Sequence, residues 1–317
     1  MKLKTINSII CRKFDAWCES ITDEQTCEMV KKNTVCTGGA IASMLMNEEV
    51  NDFDFYFRDF ETVRAVAHYY VDQFKNNPPP RFADKIKETE IYVDISEDKA
   101  QMGMMRAKVI VKSVGVASSE GDDGYKYFEG QPDGEAAQYI EKVLDNAEEA
   151  KSATKEKSKE KPKYRPVFLS ANAISLSDDV QVVVRFYGEP DQIHANYDYV
   201  HVTNYWTSWD RKVAVNQAAL LSLMNRDLRY VGSKYPLCSL FRMRKFIKRG
   251  WNITAGQVLK MAVNLQQYNL MDVAVLEEQL TGVDVAYFND LIKRLRENGS
   301  DTKVDENYLA ELIDKLF

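Results

Sequence analysis

The sequence predicts an α+β protein: a mixed sheet with flanking helices in the N-terminal part, followed by an all-α C-terminal domain. Three observations carry that prediction. Short runs of β-branched and aromatic residues alternate with helical periodicity between residues 22 and 202. From Asp210 onward only helical periodicity remains, punctuated by Gly250, Gly256, Gly282 and Gly299. The composition, 45% hydrophobic and 28% charged over 317 residues, is that of an ordinary globular chain with room for about two domains.

In chain order, the start MKLKTINSIICRKFDAW is broken by Arg12, Lys13 and Asp15, so it does not read as a signal peptide. No apolar run approaches the roughly 20 residues that cross a bilayer. A cytoplasmic protein with no membrane partner is the expectation. Thr22 and Gln25 have capping-box spacing and predict a helix over 22–33. Thr34–Gly39 reads as a turn, with Gly38–Gly39 marking a bend or a close approach. A short helix is expected at Ala40–Met46 and a strand at Phe53–Phe57. Val63, Val66, Ala67 and Tyr70 line one side of a helix over Glu61–Phe74, ended by Pro78–Pro80. Glu90–Ile95 and Ala107–Val116 read as strands.

Residues 118–163 differ in character. Within 133–163 there are eight acids and seven bases, and few large apolar groups after Leu144, too little to offset ordering entropy. This segment reads as a charged, flexible insertion with a helix over 133–151. Strands are expected again at Val167–Leu169, Ala173–Leu176, Val180–Tyr187 and Tyr197–Val202. Helices are expected at 211–225, 236–249, 254–266, 270–281, 284–298 and 305–316. The predicted organisation is therefore 1–117 and 164–210 as one domain split by the insertion, then 211–317 as a helical domain.

The five cysteines form no Cys-x-x-Cys pair and have no histidine nearby, which argues against zinc and for reduced thiols. His68, His194 and His201 are the only histidines, too few for a multi-histidine metal site.

The most informative stretch is Thr37-Gly38-Gly39, a short helix, then Asp52-Phe53-Asp54. Residues two apart on a strand share a face, so Asp52 and Asp54 stand together while Phe53 and Phe55 face the opposite, buried side. Two adjacent carboxylates repel unless solvated or compensated by a cation, and Mg²⁺ suits oxygen ligands of this kind. Gly38 and Gly39 precede a helix N-terminus, where free N–H groups favour an anion such as phosphate.

This pattern resembles the signature of the DNA polymerase β-like nucleotidyltransferase superfamily: a glycine pair, about a dozen residues, then Asp-h-Asp-h with h apolar. TGGAIASML…NDFDFYF is most similar to phage-encoded nucleotidyltransferase-like proteins and, more distantly, to CCA-adding enzymes and poly(A) polymerases. A weaker likeness runs through 171–206 and 229–251. The resemblance implies a nucleotidyltransferase-like N-terminal domain and Mg²⁺-dependent transfer of a nucleotidyl group from a nucleoside triphosphate, ATP among the candidates, to a hydroxyl acceptor. The acceptor would be an RNA 3′ end, a small molecule or a protein. It implies two Mg²⁺ ions held by Asp52, Asp54 and a third carboxylate, the three catalytic residues. Asp198 and Asp94 compete for the third place; Asp198 has the better local likeness and is preferred. It implies nucleotide binding by Gly38 and Gly39, and the host cytoplasm if the chain is phage-encoded. No Arg-Arg-Asp-like or Glu-Asp-x-x-Arg string for base selection is found. A catalytically inactive module for nucleotide or nucleic-acid binding, or for phage particle assembly, is the alternative.

Charge distribution adds one further candidate. Arg226–Arg249 holds eight basic residues and one acid, +7 in a chain of net charge −6. On the helix opened by Pro236, Leu240, Met243 and Ile247 read as the core face, and Arg242, Lys245 and Arg249 as an electropositive stripe. Arg242 and Lys245 are the expected contacts for a triphosphate, or for RNA as a second partner. Trp206, Trp209 and Trp251 read as core rather than base-stacking residues.

Overall fold

A computed structural model describes residues 1–78, 89–97, 103–113, 163–170, 172–272, 275, 276 and 279. The chain is α+β, a mixed sheet with flanking helices and further helices in the C-terminal region. In chain order the elements begin with α1 (Leu3–Ser20), α2 (Glu24–Asn33), β1 (Thr34–Thr37), α3 (Gly39–Met46), β2 (Phe53–Phe57) and α4 (Phe60–Asn76). Strands β3 (Thr89–Glu97), β4 (Met105–Ser113), β5 (Pro166–Leu169), β6 (Ala173–Leu176) and β7 (Val180–Tyr187) follow. Next come α5 (Pro190–His194), a 3₁₀ turn (Val200–Val202), β8 (Tyr205–Thr207) and β9 (Val213–Ala214). The last are α6 (Gln217–Asn225), α7 (Pro236–Lys248) and α8 (Ala255–Leu265).

The elements fall into two compact units, each assembled from separate stretches of chain. One comprises Met1–Arg12, Lys32–Asp59 and Phe186–Phe317; the other comprises Lys13–Lys31 and Phe60–Arg185. In the second unit, β5, β6 and β7 form an antiparallel meander, and β3 and β4 pair along their length from Thr89↔Ser113 to Glu97↔Met105. Helix α4 packs on β3, β4 and β5, burying Val63, Val66, Tyr70 and Phe74 at helical spacing. Trp17 Nε1 donates to the Tyr70 hydroxyl at 2.7 Å, which satisfies both polar tips inside the core.

The first unit carries the candidate site. β1 lies between β2 and β8, antiparallel to both, and β9 pairs with the outer side of β8. All four β1 residues are buried. That burial corrects the turn expected from residue 34: a central strand covered on both faces shows no polar alternation. The strand expected at Tyr197–Val202 is instead one bridge, Tyr199↔Tyr230, followed by the 3₁₀ turn. Two backbone bonds tie it to 229–231, and then the Thr203 N–H and hydroxyl both close on the Val200 carbonyl and turn the chain. The helix expected from 211 starts at Gln217, where the Asn216 side chain accepts from the Ala218 N–H.

Other differences are local. No element was expected before residue 22, yet α1 buries Ile6, Ile10, Phe14 and Trp17. α2 is capped by Asp23, whose Oδ2 accepts from the Thr26 N–H at 2.7 Å, rather than by Thr22. Tyr199, Leu223, Leu228, Tyr230, Trp251 and Met261 form the core beneath the C-terminal helices, with Leu240 and Met243 against it. Ile247, expected in that core, is 47% exposed. Nearly all of the expected insertion 118–163, including its helix, and the helices 284–298 and 305–316 lie outside the described residues, as does half of 270–281. Among the described residues no helix is long and apolar enough to cross a membrane.

Candidate active site

β1 ends at Thr37 and α3 starts at Gly39, so Gly38 makes the bend between them. Gly38 is buried with φ +98°, and a β-carbon there would lie 3.0 Å from Asp54 Oδ2 and 3.6 Å from the Tyr197 hydroxyl. Only glycine meets both demands, left-handed backbone and close approach. Its N–H is already used, donating to the Val202 carbonyl at 3.2 Å. Gly39 differs: it is exposed, and a β-carbon would meet nothing within 4 Å. No side chain caps α3, which leaves its first-turn N–H groups as the anion-favouring feature of the bend.

Asp54 sits in β2 between the buried rings of Phe53 and Phe55, while Asp52 is exposed just before the strand. Burial, and then the Asp52 charge, push the Asp54 carboxyl up to about 7. Burial and the Asp54 charge likewise push the Cys36 thiol and the Tyr56 hydroxyl upward. Among the described residues no lysine or arginine is ion-paired with Asp54. The Tyr197 hydroxyl is buried beside the hydroxyls of Tyr56 and Thr37, and burial pushes it well upward.

A short polar relay lies behind the bend. The Thr37 hydroxyl donates to the Asn204 carbonyl at 3.0 Å and therefore accepts from His194 Nε2, 2.8 Å away. Burial lowers His194 to about 4, so its ring is neutral with the proton on Nε2. Sequence reasoning found none of Thr37, Tyr56, His194 and Tyr197 as site residues; only Thr37 had a signal, its place beside the glycine pair.

Asp198, the preferred third carboxylate, is 6% exposed and bonded to Arg242 Nη1 through Oδ2 at 2.5 Å. Asp94 belongs to β3 of the other unit, in register with Lys108. Among the described residues no group of three or more His, Cys, Asp or Glu side chains is placed to hold a metal ion. Asp52 and Asp54 supply hard oxygen donors close enough for the charge of Asp52 to be felt at Asp54. That pair fits one divalent ion whose remaining ligands are water and phosphate; a second ion would need Asp198 to leave Arg242.

The basic block is partly neutralised. Besides Arg242 on Asp198, Arg249 meets Glu48 at 2.5 Å and Arg226 meets the same carboxylate at 3.4 Å. Lys245 is exposed on α7. Trp206 and Trp251 are core residues, and the half-buried Trp209 carries the Arg58 guanidinium 4.7 Å above its ring.

Strand, glycine bend, short helix and a second strand with paired carboxylates define an α+β protein with a candidate cation site beside a candidate anion site. The chain belongs to the Gabija anti-defense 2 family, Gad2, whose family model matches residues 8–226. Among curated proteins none matches the chain. The family match takes in Gly38, Gly39, Asp52, Asp54 and Asp198 and stops before α7 with Arg242 and Lys245.

Proposed function

We propose that this chain counteracts the Gabija defence as a Mg²⁺-dependent nucleotidyltransferase, moving a nucleotidyl group from a nucleoside triphosphate to a hydroxyl acceptor. The family description supports the first half. The observation that carries the second is the Asp54 carboxylate, raised by burial and by Asp52, with no lysine or arginine ion-paired to it among the described residues, and pressed against the Gly38 bend.

In this reading Asp52 and Asp54 hold the ion. Mg²⁺, when bound, supplies Lewis-acid stabilisation of the phosphoryl oxygens. The first-turn N–H groups of α3 orient phosphate, and the buried Tyr197 hydroxyl donates to a phosphate oxygen. The acceptor oxygen attacks the α-phosphorus, the bond to the β-phosphate oxygen breaks and pyrophosphate leaves. The acceptor proton passes to Asp198 once Arg242 has turned from it to the triphosphate, where Lys245 joins it. An RNA 3′ end, a small molecule or a component of the defence system would serve as acceptor.

One observation favours a second reading, the inactive nucleotidyltransferase-like module: Asp198 is neutralised by Arg242 rather than turned to a metal site. Labelled nucleoside triphosphates, Mg²⁺ and either pooled tRNA or the purified defence proteins separate the two. Label transfer that disappears in Asp54→Ala, with melting temperature retained, is the expected result. Absence of transfer, together with undiminished inhibition of the defence by Asp54→Ala, would establish the module instead.

A further inference from the structure

α7 carries no acid, and its basic residues stand round the half of the helix turned away from Leu240, Met243 and Phe246, which pack on the core. The cations along one edge of that half are already engaged: Arg242 by Asp198, and Arg249, just past the helix, by Glu48. Arg244, Lys245 and Lys248 are exposed, and among the described residues none of the three has an ion-pair or hydrogen-bond partner. Arg244 and Lys248 are one turn apart, with Lys245 beside them. Like charges so spaced on a helix repel, and a fold gains nothing by gathering them. The net charge of the chain is −6, so this is no general attraction for anions but a local one. Ile247 is the one exposed apolar side chain of α7. All of these residues belong to the first unit.

The chemistry of this face selects its partner. A membrane needs an apolar face to bury, and one isoleucine does not supply it. Protein interfaces are depleted of lysine and enriched in aromatic residues and methionine, the reverse of this composition. Nucleic acid takes strongly positive surfaces, with arginine and lysine on its phosphate oxygens. A single strand also needs rings on which its bases stack, but Phe241 and Phe246 are half-buried, and Phe246 packs on His201. Duplex RNA is recognised across its shallow groove through 2′-hydroxyls, and no exposed side chain of α7 carries a hydroxyl or an amide for that contact. We propose that the outer face of α7 is a docking surface for the phosphate backbone of duplex DNA, independent of base sequence, through Arg244, Lys245 and Lys248. Lys245, which the proposed reaction turns to the triphosphate, serves this contact when no nucleotide is bound. The surface goes beyond the transfer reading and does not depend on it, since Asp52 and Asp54 take no part.

Anisotropy titration of a labelled DNA duplex of about 20 base pairs with the full chain, without nucleotide or Mg²⁺, tests the surface. Three neutralised phosphates give a slope of log affinity against log salt of about −2.7, so affinity should fall about 40-fold between about 50 and about 200 mM salt. Arg244→Gln with Lys248→Gln leaves one contact; it should weaken binding at the lower salt by at least about tenfold and flatten the slope to about −0.9. Lys248→Gln alone should fall between the two. Both positions are exposed, so the melting temperature should not move. Lys4→Gln with Lys75→Gln, at two other exposed lysines, makes the same change in net charge and should leave binding as it was. No binding, binding that the α7 substitutions leave untouched, or an equal loss in the Lys4 and Lys75 pair would overturn the surface. Equal or tighter binding of the single strand or of poly-glutamate, or tighter binding of the RNA duplex of the same sequence, would overturn duplex DNA as its partner.

Discussion

Asp54 and Asp198 are two acidic side chains of the same unit, both largely withdrawn from water, and the chain treats them in opposite ways. Asp198 receives an arginine, with Arg242 bonded to it at 2.5 Å. Asp54 receives a second carboxylate, Asp52, and burial and that charge raise it to about 7. Withdrawing a carboxylate from water is costly unless a cation accompanies it. Asp198 is therefore held paired until Arg242 leaves it, and in the proposed reading Asp54 is the position that an ion completes. The glycine bend enforces the same distinction, because Gly38 brings backbone against Asp54 where any β-carbon would crowd it.

Substitutions at the two positions sharpen this contrast. If the chain is the proposed nucleotidyltransferase, Asp54→Ala should lower nucleotidyl transfer by at least about 100-fold, since in that reading it removes a group that acts in the transition state; a melting temperature within about 3 °C of the parent confirms that the fold survives. Arg242→Met should do the reverse and act first on stability. It strands the Asp198 charge, and because the guanidinium is 43% exposed the cost is about 2 kcal/mol rather than the full buried-pair penalty. Arg242→Met combined with Asp198→Asn should recover most of that loss in urea unfolding. If the double variant is no more stable than the single one, Asp198 is not a closed pair and the contrast dissolves. Next in size is Gly38→Ala, expected to cost about 1–3 kcal/mol through the φ of +98° and the 3.0 Å approach to Asp54 Oδ2. Gly39→Ala, with open space around it, should change stability by less than about 1 kcal/mol.

Local pattern and long-range pairing were unequally legible in the sequence. The strand Phe53–Phe57 and the helices around Val63–Phe74 and Pro236–Lys248 follow from short-range periodicity and match the structure, whereas the closeness of Gly38 to Asp54 was signalled by the spacing of the glycine pair and the two aspartates. β1 did not, because four residues covered on both faces show neither alternation nor length. α1 was obscured by charges scattered among Ile6, Ile10, Phe14 and Trp17. Tyr197–Val202 has strand composition, but its backbone pairs only once before turning. The pairings of Arg242 with Asp198, 44 residues away, and of Arg249 with Glu48 are matters of tertiary contact that no spacing rule encodes. An apparent basic stripe thus proved to be partly a row of ion-pair partners.

The smallest expected effect probes the Asp54 environment directly. An acid whose value rises on folding binds more protons in the folded chain than in the unfolded one between the two values. Stability attributable to Asp54 therefore falls as pH rises from about 4 to about 7 and stays lowered above that. Asp54→Asn removes this slope, so the melting temperature of the variant relative to the parent should climb across that window, reaching a gain of about 3 °C at pH 8. His194 and His201, both lowered to about 4 by burial, lose stability in the other direction as pH falls through 6.5. They do so in both proteins and cancel in the difference. In the proposed reading Mg²⁺ binds the ionised form, so at pH 8 millimolar Mg²⁺ should raise the parent's melting temperature and leave Asp54→Asn unmoved. The gain should shrink below pH 6 as the proton competes. Equal Mg²⁺ shifts in the two proteins, or none in either, would mean that Asp54 tolerates its burial without any ion, and the difference from Asp198 would lose its functional meaning.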